Sequence, residues 1–356
     1  MNKKRRLCAM ALSVWAALSV YGQHVEVRSD VINVGQVVFY QPVTAEYELK
    51  NNSGSMLHVR DVRTSCGCTA VEYPQQGIPS GEEFSIRITY DSKQMGHFEK
   101  SVGIYTDVET LPVVLTLKGV VVEEIKDFVG EYPYKLGDLM VDRDNIEFDD
   151  VNQGDRPVAK IHVKNETGGS SEPVVMHLPS YLKAEVSPSK IASGHSGVIT
   201  IMLDTRQIRD YGLTQTSVYL GKFPGDKVAS NKEIVVSAVM MPGFRDLTDR
   251  ELAMAPKIQL STTSLDLGRF GSKKKLKGDI EMVNIGKSEL EIAKLQMFTT
   301  GLQLSLNKTR LAPGESAKLK VTAVAKDLRD VRSKPRVLMI TNDPDHSKVV
   351  IDINVE

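Results

Sequence analysis

The chain has 356 residues, 45 of them Lys or Arg and 45 Asp or Glu, and 41% are hydrophobic. Balanced charge supplies no basic surface to attract nucleic acid, and the length exceeds one ordinary β-domain, so two or three are expected. Beyond the N-terminal segment no apolar run approaches the roughly 20 residues that cross a membrane as a helix.

The N-terminal segment reads as a secretory signal peptide over residues 1–22. Lys3, Lys4, Arg5 and Arg6 are followed by the apolar run Leu7–Val20, 14 residues long, and by small or tolerated residues before Gln23. Cys8 lies at the front of this run and is expected to leave with it. Removing the four cations leaves 41 against 45, a slightly acidic mature chain. Export to the periplasm, the outer membrane or beyond, in a Gram-negative-type bacterium, is the expected destination.

Three stretches then align without gaps when registered on Asn51, Asn165 and Asn284, which lie 114 and 119 residues apart. Ile32, Ile146 and Leu265 coincide, as do Tyr47, Ile161 and Ile280, and Leu49, Val163 and Met282. Alternation of period two ending in a polar turn predicts half-buried strands and hairpins. Turns at Ile78–Glu82, Ile191–His195 and Leu311–Glu315 recur in the same order, and final strands are expected at Val113–Leu117, Ile234–Val239 and Val349–Val355. About seven short strands per hundred residues, without a helix-period segment, indicate an all-β chain of antiparallel sandwiches. Three tandem immunoglobulin-like domains are expected over 23–122, 127–242 and 256–356, with a linker at 243–255 in which a short helical turn is expected.

The first copy contains the stretch in which residues suggest chemistry as well as packing, Thr64-Ser65-Cys66-Gly67-Cys68-Thr69. A disulfide across a three-residue loop contributes only about 1.6 kcal/mol by chain entropy, against roughly 4 for a loop of sixty residues. By the same register, Thr299 and Gly301 occupy these places in the third copy, and the second has no cysteine. Three readings stay open. The pair is local structure at a strand bend, with Gly67 supplying an unusual backbone angle; or a redox-active pair; or a soft-metal site for Cu(I) or Zn(II), with His58, Met95 or His97 as further ligands.

At Ser65-Cys66-Gly67-Cys68-Thr69, reached after Asn51-Asn52-Ser53-Gly54 and Leu57-His58-Val59 and followed by Ile78-Pro79-Ser80-Gly81-Glu82, the chain resembles the uncharacterised exported bacterial domain family numbered fifteen-seventy-three. The resemblance is strongest over Val25–Val122. It implies an immunoglobulin-like sandwich of the major-sperm-protein and ciliary-protein type, and it implies no activity.

Other motifs reduce to scaffold. His162 reads as a structural or surface residue on a strand. Lys273-Lys274-Lys275-Leu276-Lys277 reads as a solvated loop that discourages edge pairing, or as a contact to anionic envelope polymers. Asn51, Asn165 and Asn307 head glycosylation sequons but read as turn residues. Gly286-Lys287-Ser288 lacks the first glycine of a phosphate loop. The expected function is a non-enzymatic, rod-like envelope protein that needs no cofactor and binds a partner protein or glycan. The alternative is a thiol-redox or soft-metal protein using Cys66 and Cys68.

Overall fold

The computed structural model describes residues 24–298, 300–328 and 334–356. The signal-peptide segment lies outside the described residues. The chain divides into two compact units between Ile125 and Lys126.

In the first unit eight strands form two sheets. They are β1 (Val25–Val27), β2 (Val31–Val38), β3 (Val43–Asn51), β4 (Val59–Thr64), β5 (Thr69–Glu72), β6 (Glu83–Tyr90), β7 (Gly96–Thr106) and β8 (Val113–Val122). One sheet has the order β1-β3-β6-β5 and the other β2-β8-β7-β4. Alternation decides which side chains meet between them: Tyr47 and Leu49 of β3, Ile86 and Ile88 of β6, Val102 and Ile104 of β7, and Leu115 and Leu117 of β8 share one core. The Tyr47 hydroxyl donates to the carbonyl of Thr116 at 2.7 Å and so ties one sheet to the other. Burial pushes its pKa upward, so the tyrosine stays a donor.

The second unit holds two further cores, each again walled by two sheets. Pairing is antiparallel with one departure per core. An early strand of each repeat pairs parallel with the one that closes it: β2 with β8, Asn145–Asn152 with Glu233–Met241, and Ser264–Asp266 with Lys348–Asn354. The antiparallel sheets expected from alternation are found, and the one parallel pair in each core was not anticipated, because alternation reports which face is buried and carries no information about strand direction.

The three registered asparagines are completely buried and make the same bonds. Nδ2 of Asn51 donates to the carbonyls of Ser55 and Ile78, that of Asn165 to Gly169 and Ile191, and that of Asn284 to Ser288 and Leu311. Each Oδ1 accepts the N–H two residues on. Each backbone carbonyl accepts from a turn glycine, Gly81, Gly194 or Gly314, whose φ lies between 78° and 82°. A residue with a side chain is strained there. Asn51 and Asn165 are therefore internal fasteners of the hairpin, out of reach of a glycosyl donor.

The two cores of the second unit are joined by a third cluster. Leu338 and Ile340 of strand Arg336–Thr341 turn away from their own core and pack with Met241, Leu213 and Val239 of the preceding repeat. Gln296 completes the seam: its Oε1 accepts from Leu213 N–H at 2.8 Å and its Nε2 donates to the Leu213 carbonyl at 3.3 Å. The expected linker is pinned at both ends. A Cβ on Gly243 would meet the Gln153 carbonyl oxygen at 2.7 Å, Ala255 is buried, and Thr248 caps the short helix Asp249–Ala253 between them. The lysine run is partly strand, since Lys275–Asn284 begins within it and Leu276 is buried.

A half-buried ion pair fastens the loop between Gly212–Gly221 and Glu233–Met241. The Asp226 carboxylate accepts from Lys232 Nζ at 2.8 Å and from the N–H groups of Lys222 and Lys227. These bonds, that from Lys232 first, hold its pKa below the usual carboxylate range. A depressed folded value means that the contribution is complete above the unfolded pKa of about 3.9 and is lost as pH falls through the folded value. Thermal unfolding of the full chain at pH 7, 4 and 3 is expected to show this loss below pH 4. Asp226→Asn is expected to cost about 1–3 kcal/mol at pH 7 and to flatten the acid limb; an unchanged acid limb would show that other carboxylates set it.

Candidate functional site

The Cys-Gly-Cys stretch is the place where the first unit's chain leaves one sheet for the other. β4 is an edge strand of its sheet and β5 an edge strand of the facing one, and residues 65–68 join them. The crossover is held by hydrogen bonds at both ends. Ser65 N–H donates to the Ser101 carbonyl at 2.9 Å and Ser101 N–H to Ser65 Oγ at 3.2 Å, so the entry is sewn to β7. Thr64 Oγ1 donates to the Cys66 carbonyl at 3.0 Å. At the exit, Asp91 N–H donates to the Cys68 carbonyl at 3.2 Å, joining the crossover to the turn between β6 and β7.

Cys66 and Cys68 form a disulfide, with Cα atoms 5.3 Å apart. Both cysteines are half-buried, and Cys68 packs against the core. Thr69 Oγ1 lies 3.4 Å from Cys66 Sγ and 4.0 Å from Cys68 Sγ. The unusual backbone angle expected at Gly67 is not found. Its φ lies outside the left-handed region, and a Cβ there would meet nothing within 4 Å. The other repeats make the same crossover differently: His177 at φ 59° follows Val174–Met176, and Gly301 at φ 93° precedes Leu302–Leu306. Thr299, matched to Cys66 by register, lies outside the described residues.

The further ligands considered for a metal are not brought to the sulfurs as a set. His58 sits beyond the opposite end of β4, separated by a strand about 20 Å long. Its Nδ1 lies 2.9 Å from Asp107 Oδ2, and its N–H donates to Asp107 Oδ1. These bonds, the backbone one first, hold the Asp107 carboxyl below its usual range. His97 is exposed on β7, on the side opposite Phe98 and the core that Cys68 touches. Met95 is exposed in the turn that Asp91 attaches to the crossover. Among the described residues no group of three or more His, Cys, Asp or Glu is placed to hold a metal ion. His162 is structural: its ring stacks on Phe128 at 3.7 Å and its N–H donates to Asp142.

One surface feature was not anticipated. On the solvent face of the sheet containing β4, β7 and β8, Gly103 lies in register between Arg63 and Val114. A Cβ there would stand 3.5 Å from the Tyr105 ring and 3.6 Å from Pro112, so the glycine opens a shallow depression between them. The Arg63 guanidinium sits 4.7 Å over the Tyr105 ring and pairs with Asp61 at 2.8 Å. Val114 is 50% exposed and Leu111, at the hairpin tip, 77%. A glycine inside an otherwise alternating strand was the available signal.

Residues 25–121 match the family described as "Protein of unknown function (DUF1573)". That is the resemblance expected from the Cys-Gly-Cys stretch. Residues 256–355 match the HYDIN/CFA65/VesB-like, Ig-like domain. The fold is thus immunoglobulin-like, and all-β as read from the sequence. Among solved structures, a protein of unknown function from Porphyromonas gingivalis W83 aligns at TM-score 0.51 and 20% identity, over 62% of this chain and 100% of that one. A PapD-like domain of human CEP192 aligns at 0.26 and 13% identity, over 33% and 100% of the two chains. The periplasmic chaperone SfaE aligns at 0.22 and 10% identity, over 61% and 100%. No curated protein matches the chain.

Proposed function

We propose that the chain is an exported protein of the bacterial cell envelope that binds a partner protein through the solvent face of β4, β7 and β8 in its first unit. Export rests on the charged start and the apolar run Leu7–Val20. The observation that carries binding is the Gly103 depression, bordered by Tyr105, Arg63, Pro112 and Val114. Tyrosine and arginine beside exposed aliphatic groups are the residue types that dominate protein interfaces. Arg63 is already ordered by Asp61 and the tyrosine ring, so little side-chain entropy is lost when a partner covers it.

The test is crosslinking of the mature protein to an envelope fraction, compared with a Leu111→Asp/Val114→Asp variant. Both positions are exposed, so the variant is expected to unfold at the same temperature as the parent. A defined protein adduct should fall about tenfold or more in the variant. Equal capture by both would overturn the assignment of this face, and an adduct that survives protease as glycan would overturn the choice of a protein partner.

A further inference from the structure

We propose that the Cys66–Cys68 disulfide is a thiol–disulfide exchange site for polypeptide dithiols. Four observations carry this. The crossover is pinned by the Ser65–Ser101 pair, by Thr64 and by Asp91, none of which involves sulfur. The other repeats make the same crossover without cysteine, so the bond is not needed to build it. Gly67, between the two cysteines, faces open space in which a Cβ would meet nothing within 4 Å, although neither its φ nor its surroundings demand glycine. An approaching polypeptide needs that space. Finally, the two sulfurs are unequal: Cys68 packs against the core, whereas Cys66 has the Thr69 hydroxyl nearer to it.

The inequality assigns the roles. A thiolate of the partner attacks Cys66 Sγ; the new S–S bond forms as the Cys66–Cys68 bond breaks, and its electron pair leaves on Cys68 Sγ, which takes a proton from water. A second thiolate of the same partner then attacks the partner sulfur held on Cys66. Cys66 departs as a thiolate, to which the Thr69 hydroxyl donates a hydrogen bond. Two electrons have passed from the partner to this chain, leaving Cys66 and Cys68 reduced and the partner with one new disulfide. A hydrogen bond to the Cys66 thiolate helps it leave in the second step, and packing of Cys68 against the core makes Cys66 the sulfur that the partner attacks.

The experiment uses the full mature chain. The oxidised protein is mixed with a reduced two-cysteine peptide and, in a parallel arm, with reduced glutathione; acid quenching, alkylation and intact mass follow the products. One oxidised peptide per reduced chain is expected, formed faster than glutathione opens the same bond, with the first unit's thermal transition still present after reduction. Cys68→Ser, which leaves Cys66 free, should form a mixed disulfide with oxidised glutathione about tenfold faster than Cys66→Ser does, and Thr69→Val should remove most of that difference. A disulfide that stays closed under excess peptide, or two single-cysteine variants of equal rate, would overturn the proposal. Opening by glutathione as fast as by the peptide would overturn its assignment to polypeptides. None of these outcomes bears on the β4-β7-β8 face, which uses other residues.

Discussion

Asn51→Ala is expected to lower the stability of the first unit by about 3 kcal/mol, which for a unit of this size moves its thermal transition by more than about 10 °C. The side chain is fully buried and makes four bonds: two from Nδ2 to the carbonyls of Ser55 and Ile78, and two into Oδ1 from Ser53 N–H and Ser53 Oγ. The carbonyls keep second partners, Leu57 N–H on Ile78 and Ser53 Oγ on Ser55, so the loss stays below the sum of four orphaned groups. Asn51→Asp should be worse, because it turns two donors into acceptors facing carbonyl oxygens and buries a charge. Asn165→Ala and Asn284→Ala should reproduce the effect in the second unit. Asn307→Ala is the control: Asn307 also heads a sequon but is exposed and, among the described residues, its side chain accepts from Lys318 N–H alone, so its loss should stay within about 1 kcal/mol. Differential scanning calorimetry of the five variants checks this, and a mild Asn51→Ala would mean that the turn glycines alone hold the hairpins.

Gly286→Val is the second large effect, at about 3 kcal/mol in the second unit. The constraint here is space. A Cβ at Gly286 would stand 2.3 Å from Lys257 N and 2.6 Å from the Ala255 carbonyl oxygen, both backbone atoms that cannot swing aside. The same segment is bonded on either side, Ile285 N–H to Lys257 and Lys287 N–H to Ala255, and Ile258 N–H donates to buried Asp343. Displacing residues 255–257 therefore disturbs the join between the two cores. Gly168→Ala, where a Cβ meets nothing within 4 Å, should be tolerated. Equal melting curves for the two variants would show that the segment yields freely.

These two cases mark how far the sequence could be read. Strand positions and the register of the copies were legible because burial imposes period two, and because the asparagine must sit at one fixed place relative to its turn. The parallel partner of β2 was not legible, since its pattern is the same whichever direction its neighbour runs. Nor was the seam within the second unit: Arg336–Thr341 is buried on both faces, and a continuous apolar run does not say what covers its second side. At the cysteines, proximity in sequence made a local disulfide the natural pairing, but the open space at Gly67 and the anchoring by Ser65, Thr64 and Asp91 depend on strands far away in the chain. His58 was a candidate ligand by residue type alone, and its partner Asp107 lies 49 residues on.

The pairing of an early strand with the last sets the order in which each repeat can be completed. β2 has β8 as its one neighbour in the sheet, so it waits unpaired until residues 113–122 have been made, and the same wait recurs in each later repeat. Each sandwich thus closes in one late step, after nearly all its residues are available, and a chain stopped short of that step presents an apolar edge to whatever is near it. A protein completed this way ripens in instalments from its N-terminal end, and the residues that hold the crossover with its two cysteines all precede those of the second unit.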